Sequence, residues 1–119
     1  MIGIDIIEID RIQTVISSQA FINRVFTKQE IIDCQSSPTI RVQASRFASR
    51  FAAKEAVFKA VAQIDILRWK DIQVTNELSG KPVITFFGET KKIMDKNKIC
   101  VEVSLSHSRD NAVAMAIIK

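Results

Sequence analysis

Between Arg41 and Ala62 the chain runs for 22 residues without a glycine or proline, in a composition dominated by Ala, Phe, Arg and Lys. Ala, Arg and Lys lose little freedom on entering a helix, and nothing in the run can break one. A helix of that length spans about 33 Å, the diameter of a small domain. A chain of 119 residues built along such a rod has surface to hide in one core but not in two. Residues 1–119 are therefore read as a single domain.

The periodicity changes on either side of this segment. Ile2, Ile4 and Ile6 alternate with Gly3, Asp5 and Ile7, which predicts a short strand on which Asp5 faces away from the isoleucines, next to Gly3. Ile9, Ile12 and Ile16 follow at helical spacing, predicting a helix that starts within Asp5–Asp10 and runs to about Ser18. Residues 21 to 35 read as a second helix with Thr27 and Glu30 spaced as a capping box, until Ser36-Ser37-Pro38 interrupts it. After the long helix, period two returns. Ile72 to Asn76 reads as a strand, and Ser79-Gly80-Lys81 turns into a second one from Pro82 to Phe87. Lys91 to Lys96 reads as a short polar helix. Strands from Ile99 to Ser106 and from Ala112 to Ile118 then flank a turn at Ser108-Arg109-Asp110-Asn111. The last strand is apolar on both parities, the pattern of a strand covered on both faces. Helices gathered early and strands gathered late predict an α+β fold, the helices of the first half packed on a mainly antiparallel sheet.

Composition narrows the function classes. An apolar share of 47% beside 25% charged residues excludes a disordered chain. Seventeen basic against thirteen acidic side chains leave a net charge of +4, which favours an anionic partner without choosing among nucleic acid, phosphates and an acidic protein. Cys34, Cys100 and His107 are too few for a structural zinc site, and whether the two thiols meet is not legible from sequence. The apolar start carries Asp5, Glu8, Asp10 and Arg11, so neither a signal peptide nor a membrane span is expected, and the expected compartment is the cytoplasm.

Several side chains stand out against this pattern. At about 100° per residue, Phe47, Phe51 and Phe58 fall on one stripe of the long helix with Lys54 inside it, and Glu55 lies at its margin beside Lys59. A buried unpaired charge costs several kcal/mol, so Lys54 must snorkel out or meet an anion. Asp5 and Glu55 considered separately read as a helix N-cap and as half of an i,i+4 pair with Lys59. Considered together they are two carboxylates, the number Mg²⁺ takes when substrate phosphates complete its shell. Arg50, Lys54 and Lys59 would then neutralise phosphates that the metal does not reach. His107 continues the apolar parity of Ile99, Val101, Val103 and Leu105, and Ser104, Ser106 and Ser108 around it suggest a phosphate pocket of hydroxyls plus imidazole. A Ser106–His107–Asp110 triad is excluded, because adjacent strand residues face opposite ways. Arg11, Arg24 and Lys28 read either as solvated cations or as a dock for an acidic helical partner.

At these residues the chain resembles the holo-acyl-carrier-protein synthases, small bacterial 4′-phosphopantetheinyl transferases. The resemblance rests on Gly3-Ile4-Asp5 with its continuation Ile6-Ile7-Glu8-Ile9-Asp10-Arg11. It rests equally on Arg50, on Phe51-Ala52-Ala53-Lys54-Glu55-Ala56-Val57-Phe58-Lys59, on Gly80-Lys81-Pro82 and on Ser104-Leu105-Ser106-His107-Ser108. It implies a trimer-forming α+β fold with sites between neighbouring subunits. It also implies transfer of 4′-phosphopantetheine from coenzyme A to apo-acyl carrier protein, with release of adenosine 3′,5′-bisphosphate, in fatty acid biosynthesis. On that resemblance Asp5 and Glu55 hold Mg²⁺, with Glu55 and Lys59 catalytic. Arg50, Lys54, Lys59, Gly80, Lys81, Pro82 and His107 bind coenzyme A, and Arg11, Arg24 and Lys28 receive the carrier.

The sequence departs from the family where Ala62-Gln63-Ile64-Asp65 replaces a Gly-rich stretch, Ser49 a glycine and Phe58 a small hydroxyl residue. A differently shaped nucleotide loop and one phosphate hydrogen bond fewer are expected. Three rival readings stay open at this point: a metal-dependent phosphohydrolase acting on coenzyme A or a related diphosphate, a basic nucleic-acid-binding module, and a subunit that keeps the fold without the chemistry. Scattered charge and sparse aromatics weigh against nucleic acid as partner, and the chain carries no P-loop for a nucleoside triphosphate.

Overall fold

The computed structural model describes residues 1–62 and 67–119. Strand β1 (Ile2–Glu8) leads into three short helices, α1 (Ile9–Val15), α2 (Gln19–Val25) and α3 (Lys28–Gln35), and then into the long α4 (Ile40–Val61). A 3₁₀ turn (Trp69–Asp71), the hairpin β2 (Ile72–Asn76) and β3 (Pro82–Phe86), α5 (Gly88–Lys96), β4 (Val101–His107) and β5 (Asn111–Ile118) follow. The strands form an antiparallel three-stranded sheet in the order β1-β5-β4 and an antiparallel β2-β3 pair.

The first helices differ from the sequence reading in their boundaries. The first stops at Val15 because Ser18 opens the next, its hydroxyl accepting from the Phe21 amide at 3.3 Å. The expected helix over residues 21 to 35 is two helices. The Thr27–Glu30 capping box is present, and since a cap marks a helix start, it divides α2 from α3.

Alanines at every fourth position of α4, from Ala44 to Ala60, are all buried, and α4 lies across β1 and β5 on their small-residue face of Gly3, Ala112, Ala114 and Ala116. Small residues on both partners let the backbones approach closely. A Cβ at Gly3 would come within 2.0 Å of the Ala56 carbonyl oxygen. The other side of α4 carries Phe47, Val57 and Val61 into a core with Phe26 of the α2–α3 junction, the Phe26 and Phe47 rings 4.8 Å apart.

The opposite face of the sheet is bare. Ile2, Ile4 and Ile6 align across the register with Ile117, Met115 and Val113, and Ile2, Ile4 and Ile6 are each 58–64% exposed. The expectation that the last strand is covered on both faces therefore fails within one chain: Ala112, Ala114 and Ala116 are covered by α4, while Met115 and Ile117 stay exposed. No helix of the described residues is long and apolar enough to cross a membrane.

Candidate active site

Asp5 stands on the inner face of β1, two residues beyond the Gly3 contact, at the edge of the sheet where α4 presents Glu55 and Lys59. The Lys59 ammonium donates to the Asp5 carboxylate at 3.1 Å and to the Ile4 carbonyl at 3.0 Å, so Lys59 pairs with Asp5 rather than with Glu55, four residues before it. Glu55 is half-buried. Burial first, and the nearby Asp5 carboxylate second, raise its pKa above the usual carboxylate range, against a smaller opposing pull from Lys59. Two neighbouring carboxylates, one of them paired with a lysine, suit a hard divalent cation. No cluster of three or more metal-ligating side chains forms among the described residues, so substrate oxygens and water would have to complete the shell. A hollow of about 490 Å³ joins Asp5 and Lys59 to Ile4, Ile6 and Val113, carrying this half of the site round the β1 edge to the bare face.

The phosphate-binding candidates lie at the other edge. Arg50, Gly80, Pro82 and His107 line a cleft of about 280 Å³ between α4, the β2–β3 hairpin and the end of β4. Arg50 is only 7% exposed, its Nε has no hydrogen-bond partner among the described residues, and its Nη1 donates only a long 3.4 Å bond to the Arg46 carbonyl. A buried guanidinium with unspent donors is a waiting anion site. His107 is exposed and shares the inner-face parity of Leu105, as the alternation predicts. Gly80, at φ 91°, turns the hairpin so that its backbone borders the cleft. Lys81 instead lines the groove between β3 and β4.

Two expectations are corrected here. Lys54 does not face a phosphate: it is wholly buried and donates to Glu30 Oε1 at 2.6 Å, so the anion it needed is a side chain of α3. Burial lowers its pKa, with Glu30 opposing. Ser104 and Ser106 do not join His107, because strand alternation puts them on the outer face, opposite Met115 and Val113. The hydroxyls of the cleft come from Ser45 and Ser49. Ser45, Arg46 and Asn76 were not singled out from the sequence. Ser45 and Arg46 precede Ser49 and Arg50 by one helical turn, the spacing that would have found them.

Phe58, where the family has a small hydroxyl, packs edge-on against Trp69 at 4.7 Å. The replaced Gly-rich stretch falls on residues 63–65, outside the described residues. Cys34 is buried and Cys100 exposed, both as free thiols. Arg11, Arg24 and Lys28 are exposed on α1, α2 and α3, and none is ion-paired among the described residues.

One chain thus places its candidate residues in two groups on opposite edges of the sheet, with α4 between them. The model of the 4′-phosphopantetheinyl transferase superfamily matches residues 1–116. Holo-acyl-carrier-protein synthases of Chlorobaculum parvum and Clostridium tetani are each 40% identical over 99% of the chain, covering 97% and 94% of those proteins. The crystal structure of the Helicobacter pylori holo-acyl-carrier-protein synthase in complex with coenzyme A superposes with a TM-score of 0.83 at 32% identity, covering all of both chains. That of Bacillus anthracis, in complex with coenzyme A (3′,5′-ADP), gives 0.78 at 34% identity over 98% of this chain and 93% of its own.

Proposed function

Since this chain belongs to the 4′-phosphopantetheinyl transferase superfamily, we propose that it is a holo-acyl-carrier-protein synthase. It transfers 4′-phosphopantetheine from coenzyme A to a serine of apo-acyl carrier protein and releases adenosine 3′,5′-bisphosphate. The reaction uses Mg²⁺ and serves fatty acid biosynthesis in the cytoplasm. The observation that carries the reading is the division of the site: carboxylates with Lys59 at the β1 edge, and at the β4 edge His107 with a buried Arg50 whose Nε has no partner among the described residues. Neither half suffices alone, and the bare isoleucine face beside the first half fits a second copy of the chain. A ring of such contacts, of which the homotrimer is our choice, would set one subunit's Asp5 against its neighbour's Arg50.

In this reading Arg50, His107, Gly80 and Pro82 hold the nucleotide end of coenzyme A, with Arg46 and Ser49 beside them. Asp5 and Glu55 would hold Mg²⁺, which supplies charge neutralisation at the diphosphate. Lys59, released from Asp5, stabilises the transferring phosphoryl group while the carrier serine oxygen attacks the β-phosphorus and the adenosine bisphosphate oxygen departs. Glu55 is the candidate acceptor of the serine proton. Arg11, Arg24 and Lys28 face the acidic carrier.

Intact-mass spectrometry of an apo-acyl carrier protein incubated with this protein, coenzyme A and Mg²⁺ tests the reading. The expected result is a phosphopantetheine adduct that disappears on chelation and falls by on the order of 10²-fold in rate for Asp5→Asn and Glu55→Gln, both folded. Cleavage of coenzyme A with the carrier unmodified would replace the reading with a phosphohydrolase.

A further inference from the structure

We infer that Lys54 and Glu30 are a positioning pair that fixes the turn of α4 bearing Glu55 relative to the helices that receive the carrier. This inference rests on the transferase reading above. The three ammonium hydrogens of Lys54 are all engaged: by the Val25 carbonyl at 2.7 Å, by Glu30 Oε1 at 2.6 Å and by the Trp69 carbonyl at 3.0 Å. The acceptors come from the end of α2, from α3 and from the 3₁₀ turn, so the side chain is held from three directions. Its ammonium also lies 5.4 Å from the Phe26 ring centre. Glu30 is equally engaged: Oε1 accepts from the Thr27 amide at 2.9 Å, and Oε2 from the Val74 amide at 2.9 Å. Both side chains are fully buried.

A pair like this is an expensive way to stabilise a core. Well-packed apolar residues of similar volume often do as well or better, because desolvation offsets the Coulomb attraction. Direction is what the pair adds, since charged hydrogen bonds restrict angle and distance while apolar contacts do not. Lys54 immediately precedes Glu55, so holding it sets the rotation of α4 about its axis. A rotation of about 10° would displace a carboxylate carried about 6 Å from that axis by about 1 Å. On the other side of the network, Val25 follows Arg24 and Thr27 precedes Lys28. The docking cations and the metal-binding carboxylate are therefore referred to one buried point, and a carrier seated on α2 and α3 meets Glu55 at a fixed offset.

The double substitution Lys54→Met with Glu30→Gln removes both charges and keeps the volume, leaving a glutamine able to accept from the Thr27 amide. The assay compares thermal midpoint, kcat, KM for coenzyme A, and Mg²⁺ binding by calorimetry with coenzyme A present and no carrier. We expect a folded variant with an unchanged KM for coenzyme A and a kcat lower by on the order of 10²-fold. Mg²⁺ affinity should fall about tenfold. A folded double variant with wild-type kcat and Mg²⁺ affinity overturns the inference. If that variant does not fold, Glu30→Asp decides, since it keeps both charges and draws the carboxylate back by one methylene: lost kcat with weakened Mg²⁺ supports the pair, and unchanged values overturn it. Wild-type protein that never modifies a carrier would sink the transferase reading instead, while the calorimetric contrast would still be legible.

Discussion

Replacing Gly3 with alanine places a methyl group where β1 crosses α4. The new Cβ would lie 2.0 Å from the Ala56 carbonyl oxygen and 2.7 Å from the Ala60 amide nitrogen, both helix backbone atoms that cannot swing aside. Ordinary contact begins near 3.4 Å, so strand and helix must part by about 1.4 Å. Gly3 is not in the left-handed region, where only Gly80 and Gly88 of the glycines fall, so space alone demands glycine here. Parting the layers opens the alanine seam between α4 and β5, and overpacking of this severity costs about 3 kcal/mol. For a chain of this size that lowers the melting midpoint by about 12 °C. Asp5 lies two residues along the displaced strand and recedes from Glu55, with a loss of turnover on the order of 10²-fold. Circular dichroism melts and the rate of the carrier mass shift measure the two effects. An unchanged midpoint would refute the close-approach reasoning. A lowered midpoint with unchanged turnover would detach Asp5 from the site.

Other outcomes follow from the same geometry. Arg50→Met removes a buried guanidinium that has no carboxylate partner among the described residues. It should leave the thermal midpoint unchanged or raised while coenzyme A binding by calorimetry weakens by at least about tenfold. Ile4→Glu together with Met115→Glu puts charge on the bare face. Analytical ultracentrifugation should then find a monomer lacking transfer activity, although Asp5, Glu55 and Arg50 are untouched; an active monomer would refute the split site. Burial pushes the Cys34 thiol up from 9.0 to about 12, so at pH 8 a thiol reagent should label Cys100 alone in the folded protein and both cysteines after denaturation. Because the folded-state value is the raised one, the contribution of the neutral thiol is complete below about pH 9 and is lost as pH rises towards about 12. Alkaline melts of Cys34→Ala should show a shallower decline over that window.

Sequence by itself determined what is local. The Gly- and Pro-free run became α4 within one residue at either end, the Thr27–Glu30 spacing gave a capping box, and the parity of Leu105 and His107 put them on one face. Even the need of Lys54 for an anion was legible, because a charge on an apolar stripe must be compensated wherever it falls. Local pattern does not say which distant segment supplies the compensation. Only tertiary structure chose Glu30, 24 residues earlier, where a coenzyme phosphate had been expected. The same limit governs the strands: alternation shows that Ile2, Ile4 and Ile6 share a face, but whether that face is core or surface depends on where α4 lies. The alanine seam set α4 on the other side. That placement left the isoleucines bare and sent Ser104 and Ser106 away from His107. It also parted Asp5 on the β1 edge from His107 on the β4 edge, because periodicity is a property of consecutive residues and a site is a property of elements that meet.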